Sequence, residues 1–476
     1  MKNTAIYWTL LTLAGMVQLL WSGESGYISA LTEKLQSSKL NPTVVIKIVD
    51  PDNGPGTDYT SLNDFSTGEK RNLVALNQIA VALCRSSAGS PDVTAATIEH
   101  PGWTTDENHF VMIVADSGHR AGPVWDETKY RLEIDDSNHQ FREAIDAEGV
   151  HLRLDGIQIG FKGTGSSNRV FDFDENCPLT VVENCYFKIE LIGSGSITVL
   201  PVLREYIVRN CVFEGINFYP DNGRVMSVGG NGDLIAINNT IYGFKYGFYT
   251  DSGKITAINN IVRKVTDGFK AKENGTFTSD SDFNSSSISG DAPVQSPRNN
   301  TQSPWYSGNY SDEDLFRDIQ NRDFHLKENS IFQGSGIGPA ANSHVPGYDI
   351  EMEGRTGNTT DMGADQIYGV PLKLDEPVRN LPGKMGLIRN YPNPFNPSTK
   401  LEIVLPGNSR VVRVAVNIFD ITGRLIRHLY NGYAHDVLSV EWDGKNDAGQ
   451  PLPSGVYLAS AQGESFRLLH KMYLLR

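Results

Sequence analysis

Through the middle of the chain, apolar and polar positions alternate in short runs that recur. The runs are "HLRLDGIQI" (151–159), "VVENCYF" (181–187), "IVRNCVF" (207–213), "AINNTIY" (236–242) and "AINNIV" (257–262). Each has an alternating strand, a polar corner and a second short apolar piece. None has the period or length of a helix. Aligned on the corner, they put Gly156, Asn184, Asn210, Asn239 and Asn260 in one column, with spacings of 28, 26, 29 and 21 residues between successive numbers. Short strands at this period predict a parallel β-solenoid. Asn suits its corners, because it tolerates left-handed backbone and its amides can bond from rung to rung. The next column, Cys185, Cys211, Thr240 and Ile261, should face inward. The preceding one, Asp155, Glu183, Arg209, Asn238 and Asn259, should face outward, with Glu183 and Arg209 as a surface ion pair.

The last 90 or so residues read differently. "KLEIVLP", "RVAVNIFD", "LSVEWDG", "GVYLASAQ" and "HKMYLLR" alternate between clusters rich in Gly, Pro, Asn and Asp. That pattern predicts a small antiparallel sandwich. Between the two regions, "SDSDFNSSSISGDAPVQSPRNNTQSPW" (279–305) reads as a long polar loop, and "YGVPLKLDEPVRNLPGK" (368–384) reads as a linker. Upstream, Ser66 and Glu69 of "STGEK" are spaced as a capping box for a short helix.

Composition sharpens this picture. Of 476 residues 46 are Gly, which fits a turn-rich β protein. The net charge is −14. Residues 388–476 hold 10 Lys+Arg and 7 Asp+Glu, a net of +3, so the rest carries −17. Nucleic acid is excluded as a partner by so acidic a body, and an anionic polysaccharide would need a cation or a local basic groove. Lys2 followed by the apolar run Ala5–Leu20 and "WSGES" predicts a signal peptide over 1–23. No Cys follows the run, which excludes a lipid anchor there. The four cysteines, Cys84, Cys177, Cys185 and Cys211, read as buried thiols in a core large enough not to need staples.

Candidate chemistry is sparse. Asp172 and Asp174 of "FDFDEN" share one strand face and could hold calcium or do acid–base work. Glu183 and Arg209 are further catalytic candidates. "DPDNGPGTD" presents Asp50 and Asp52 as candidate calcium ligands, although Gly54 falls where a third ligand belongs. Tyr242, Phe244, Tyr246 and Phe248 alternate onto one face, making Tyr242 and Tyr246 candidates for stacking on sugars. The adjacent Asp135 and Asp136 point to opposite faces, and His109, His119, His139 and His151 lack metal-ligand spacing.

The repeats, together with "GTDYTSL" (56–62), "DFHLKENSIFQGSGIG" and "TTDMGADQ", resemble the right-handed parallel β-helix proteins of the pectin-lyase-like superfamily over residues 43–368. That resemblance implies a body that binds or cleaves polysaccharide as a lyase or glycoside hydrolase. The family's polygalacturonase and pectate-lyase signatures are missing, so enzyme status stays open. A non-catalytic adhesin or structural protein is the alternative. The C-terminal stretch resembles the type A sorting domain of the type IX (Por) secretion system, an Ig-like fold. The resemblance is carried by "NYPNPFNP" (Asn390, Tyr391, Pro392, Asn393, Pro394, Phe395, Asn396, Pro397), "FDITGR" (Asp420, Gly423), "WDG" (Trp442, Asp443, Gly444) and "SGVY" (Gly455, Tyr457). It implies export through the periplasm to the surface or medium, with outer-membrane secretion machinery as partner. The expected organisation is a mainly β chain: signal peptide 1–23, lead-in 24–42, right-handed parallel β-helix 43–368, linker 369–387, and Ig-like antiparallel β-sandwich 388–476. A monomer is expected. No cofactor is required by the sequence, and calcium is the candidate ion.

Overall fold

The structure, a computed structural model, describes residues 31–32, 35–36, 41–138, 143–164, 166–173, 179–218, 222–293, 305–355, 359–367, 387–404, 412–420, 424–434, 437–447, 449–462 and 467–476. The chain divides into two compact units, Met1–Val370 and Pro371–Arg476. It is mainly β, with parallel sheets in the first unit and small antiparallel sheets in both. No described helix is long and apolar enough to cross a membrane.

In the first unit, strands Leu152–Asp155, Leu179–Glu183, Glu205–Arg209, Asp233–Ile237 and the end of Tyr246–Ile258 pair in parallel, each with the next. Strands Gln158–Gly163, Tyr186–Leu191, Val212–Ile216, Thr240–Tyr242 and Ile261–Arg263 form a second parallel ladder, continued by Ser285–Ser286. A third run, Ser196–Val202, Arg224–Val228, the start of Tyr246–Ile258 and Asp267–Phe277, is parallel too. The chain thus returns to each ladder in the same order. The alternation buries one side of every strand in a shared core, where Phe187 stacks on Phe213 at 4.6 Å and Phe248 on Phe269 at 4.9 Å.

Left-handed corners follow the first ladder, as the polar column implied, but the column is shifted by one residue in the later repeats. Positive φ falls on Gly156, Asn184, Asn210, Asn238 and Asn259. Asn239 and Asn260, expected at the corner, lie one position on, in register with Cys185 and Cys211. There they form a buried inner ladder. Asn239 Nδ2 donates to Asn260 Oδ1 at 2.9 Å, and Asn260 Nδ2 to Asn284 Oδ1 at 2.9 Å. Along the outer corner, Asn210 Nδ2 donates to Asn184 Oδ1 at 3.1 Å and Asn259 Nδ2 to Asn238 Oδ1 at 3.3 Å. Asn284 and Ser285–Ser286 belong to the stretch expected to be a loop. Its polar side chains do not prevent a rung, because the buried Asn284 amide bonds to Asn260 and to Ala257 O.

One further expectation changes. The short helix is Leu62–Glu69, capped by Ser61, whose hydroxyl accepts from Asp64 N at 3.0 Å. Ser66 is buried inside that helix and donates to Thr97 O. Cys84, Cys185 and Cys211 are buried free thiols as expected, and Cys177 lies outside the described residues. Residues 305–367 form an outer layer. Leu315, Phe316, Phe324, Phe332 and Met362 pack on Tyr186, Val212, Tyr242 and Ile261, the outward side of the second ladder.

In the second unit, Leu387–Tyr391, Thr399–Val404 and Val437–Trp442 form one antiparallel sheet. Leu425–Ala434, Val412–Asp420, Gly455–Gln462 and Arg467–Leu474 form another. Their core holds Phe395, Leu401, Ile403, Val416, Ile418, Trp442, Met472 and Leu474.

Candidate functional site

The outer layer decides the fate of most sequence candidates. Glu183 and Arg209 sit side by side on neighbouring strands, as read, with Arg209 Nη2 2.7 Å from Glu183. They are buried, not at the surface: Tyr348 of the outer layer donates to Glu183 Oε2 at 3.3 Å and Arg120 pairs with Asp155 beside them. Burial alone would lower the Arg209 pKa, but the neighbouring Glu183 reverses this and raises it. Tyr242 is also buried. Its hydroxyl donates to Asp312 Oδ2 at 2.8 Å, and burial with that carboxylate raises its pKa. Glu183, Arg209 and Tyr242 are thus covered by side chains of the outer layer.

Asp50 and Asp52 are spent on protein donors. Asp50 takes the Asp52, Gly54 and Ser87 amides and Arg85 Nε. Asp52 Oδ2 takes Ala88 N at 2.7 Å, Ser86 Oγ at 2.9 Å and Ser90 N at 3.3 Å. Burial pushes the Asp52 pKa up, but these donors outweigh it and hold it at about 2. A β-carbon on Gly54 would lie 2.4 Å from Ser87 Oγ, which explains the glycine where a third ligand was sought. The loop is a hydrogen-bonded clasp. Asp172 pairs with Arg169 at 2.7 Å, and Asp174 lies outside the described residues.

Tyr246 stands in company the sequence did not suggest. Strands Arg224–Val228, Tyr246–Ile258 and Asp267–Phe277 set Arg224, Tyr246 and Asp267 in one register, and Ser227, Tyr249 and Lys270 in another. Met226, Phe248 and Phe269 fill the core between them. The Arg224 guanidinium lies 4.0 Å over the Tyr249 ring, whose centroid is 5.4 Å from that of Tyr246. Lys245 Nζ stands 5.3 Å over Tyr246 and Lys272 Nζ 5.8 Å over Tyr249. Lys270 pairs with Asp267 at 2.6 Å. Among the described residues, Arg224, Lys245 and Lys272 have no carboxylate partner. Two tyrosines and four cations therefore share one strip of a body carrying −17. The single face read for Tyr242, Phe244, Tyr246 and Phe248 does not hold: Phe244 and Phe248 enter the core, while Tyr246 lies beside Tyr249. The cluster was not legible, because Arg224, Lys245 and Lys272 come from positions more than 20 residues apart.

The second unit uses its motif residues structurally. Asn390 Nδ2 donates to Thr399 Oγ1 at 3.0 Å and Pro392 O at 3.1 Å, while His470 Nε2 meets its Oδ1 at 2.8 Å. Asn393 Oδ1 accepts from Tyr473 N at 2.9 Å. Phe395 is buried 5.4 Å from Trp442, which packs on Tyr457 at 5.3 Å. Tyr457 donates to Pro453 O, tying the strand to the turn before it. Asp420 holds Arg424 through Nε at 2.9 Å, and Asp443 caps the turn at Lys445 N, 3.2 Å away. Gly444 has φ +66, and a β-carbon there would lie 2.7 Å from Pro397 O. Gly455 opens the strand that pairs with Leu474. Gly423 lies outside the described residues. Tyr391 is 84% exposed.

Residues 393–465 match the FlgD Ig-like domain. No curated protein matches the chain. Solved chains similar to it include PorZ, described as an essential bacterial surface component of the type-IX secretion system of Porphyromonas gingivalis. That likeness is 24% identical, covers 19% of this chain and 11% of PorZ, and has a TM-score of 0.14. Dimeric latent PorU from the same organism is 18% identical over 27% of this chain and 11% of its own, with a TM-score of 0.17. The chain thus spans 11% of either neighbour, and neither likeness carries an argument about the rest of it.

Proposed function

We propose that this protein is an exported cargo of the type IX secretion system whose body, a right-handed parallel β-helix, binds an anionic polysaccharide along the Arg224–Tyr246–Tyr249 strip. The second unit is its sorting signal, delivering it to the cell surface or medium after the signal peptide has taken it to the periplasm. The reading of the tail rests on the ordered motif and on its role in one compact Ig-like core. Grafting residues 388–476 onto a folded reporter should carry the reporter outside a host with the machinery; retention in the periplasm would refute that half.

The reading of the body rests on one observation: Arg224, Lys245 and Lys272, free of carboxylates, surround two tyrosine rings on an otherwise acidic unit. Guanidinium and ammonium groups would meet uronate or sulfate groups, and the half-exposed Tyr246 ring a sugar face. The long-range repulsion from the body is screened beyond about 8 Å at physiological salt, so a local basic strip can prevail. The test is a binding panel of neutral and anionic polysaccharides on the full chain, with new reducing and unsaturated ends read alongside. Anionic members should bind and weaken with added salt, and Arg224→Ala with Lys272→Ala should weaken them roughly tenfold or more. Equal binding of neutral and anionic glycans, or of the wild type and this variant, would refute it.

A further inference from the structure

A second group of side chains lies in the outer layer, away from the strip. Strand Asp323–Leu326 pairs antiparallel with Phe316–Asp318 and buries Phe324 and Leu326, which leaves His325 on the other side. Asp323 fixes this imidazole. Its Oδ1 lies 2.5 Å from His325 Nδ1, and its Oδ2 is held by Arg317 Nε at 2.8 Å. The free ring nitrogen, Nε2, is turned to Glu351 Oε2 at 3.0 Å. Asp365, 4% exposed, completes the group. One donor atom each from His325, Glu351 and Asp365 lie within 4.8 Å of one another.

Two features suggest more than an ion pair. Asp365 Oδ2 accepts from Leu326 N at 2.7 Å, yet its other oxygen accepts nothing among the described residues, and neither does Glu351 Oε1. One imidazole N–H cannot serve two carboxylates, so each keeps an oxygen that can meet a cation. Second, a carboxylate on one ring nitrogen with the other turned toward further carboxylates is the arrangement that orients metal-binding histidines. Gly122 leaves the space: a β-carbon on it would lie 3.1 Å from Glu351 Oε1.

We propose that His325, Glu351 and Asp365 bind one divalent transition-metal ion, Zn²⁺ by donor type, with Asp323 as the positioning residue for the imidazole. One imidazole and two carboxylates suit Zn²⁺ or its neighbours, while Ca²⁺ seeks six to eight oxygens. The site would pin strand 323–326 to residues 351–365, closing the outer layer.

The test is calorimetric titration of Zn²⁺ into the full, untagged chain after chelator treatment, with Co²⁺ as a visible-absorption probe of an imidazole–carboxylate site. One saturable site is expected, not displaced by excess Ca²⁺. His325→Gln should abolish it. Asp323→Asn, which leaves all three ligands in place, should weaken it roughly tenfold to a hundredfold. Circular dichroism checks that each variant is folded, and Glu351→Gln replaces His325→Gln if the latter is not. No saturable Zn²⁺ or Co²⁺ site in the wild type, or one unchanged in the folded His325→Gln or Glu351→Gln variant, would overturn the proposal.

Discussion

The corner register makes a prediction in which the sign matters more than the size. Asn259 has φ +58, whereas Asn260 is not among the residues with positive φ. Both are buried and both would lose their side-chain bonds on truncation. At 259 these are Nδ2 to Ile337 O at 2.8 Å, Oδ1 from Ile337 N at 2.9 Å and Nδ2 to Asn238 Oδ1 at 3.3 Å. At 260 they are Oδ1 from Asn239 N and Nδ2, and Nδ2 to Ala236 O and Asn284 Oδ1, all at 2.9–3.0 Å. At about 1 kcal/mol net each, truncation costs about 3 kcal/mol at 259 and about 4 kcal/mol at 260. Those losses are common to Ala and Gly, so the Gly–Ala difference isolates the backbone. At 259 a β-carbon in the left-handed region costs about 1–2 kcal/mol, so Asn259→Gly should be more stable than Asn259→Ala. At 260 Gly carries an entropic cost of about 0.5–1 kcal/mol, so the order reverses. Urea unfolding of the four full-length variants measures it, with hydrogen exchange in 254–263 as the local readout. The same order at both positions, or Gly preferred at 260 and Ala at 259, would refute the assigned corner.

Arg209→Met strands the Glu183 carboxylate under the outer layer and should cost about 3–5 kcal/mol; adding Glu183→Gln should recover most of it, as measured by the same urea midpoints. Asp52 has a folded pKa of about 2 against 3.8 when unfolded, so its contribution is present above pH 3.8 and is lost as pH falls through about 2. After discounting for its partial exposure that contribution is about 1 kcal/mol, so the stability gap between wild type and Asp52→Asn should hold level above pH 5 and shrink between pH 4 and 2. A gap that widens on acidification would contradict the clasp.

The strands of the first unit were legible because alternation is a local signal, and it survives in every rung. The corner was legible only in part. In "VENC" and "VRNC" a single Asn marks it, but "INNT" and "INNI" offer two, and the alignment took the second. Period alone cannot choose between them, since both positions favour Asn: one for left-handed backbone, the other for a buried amide ladder. The second unit was legible through to its core, because Phe395, Trp442 and Tyr457 stand in motifs whose spacing reflects direct packing. What alternation cannot register is a layer added later in the chain. It put Glu183 and Arg209 outward, and both do point away from the inner core, as does Tyr242. Residues 305–367 then cover that side, 70 positions on in the case of Asp312 and Tyr242.

That covering layer also explains why charge count located no site. Several basic residues are taken up by carboxylates. Arg85, Arg120, Arg209 and Arg263 are buried against Asp50, Asp155, Glu183 and Asp312, where each cation cancels a carboxylate that folding would otherwise desolvate alone. They hold the layers together and leave little field outside. Arg224, Lys245 and Lys272 have no such partner, stand over aromatic rings and lie on the third run of strands. A body of −17 can therefore present a basic face, because the arginines that neutralise its buried acids are not the ones that meet a ligand. The converse holds at His325, where the carboxylates outnumber the imidazole and the unmatched charge is negative. The anion proposed for the strip and the cation proposed for the outer layer thus each answer the charge that its place in the fold leaves unmatched.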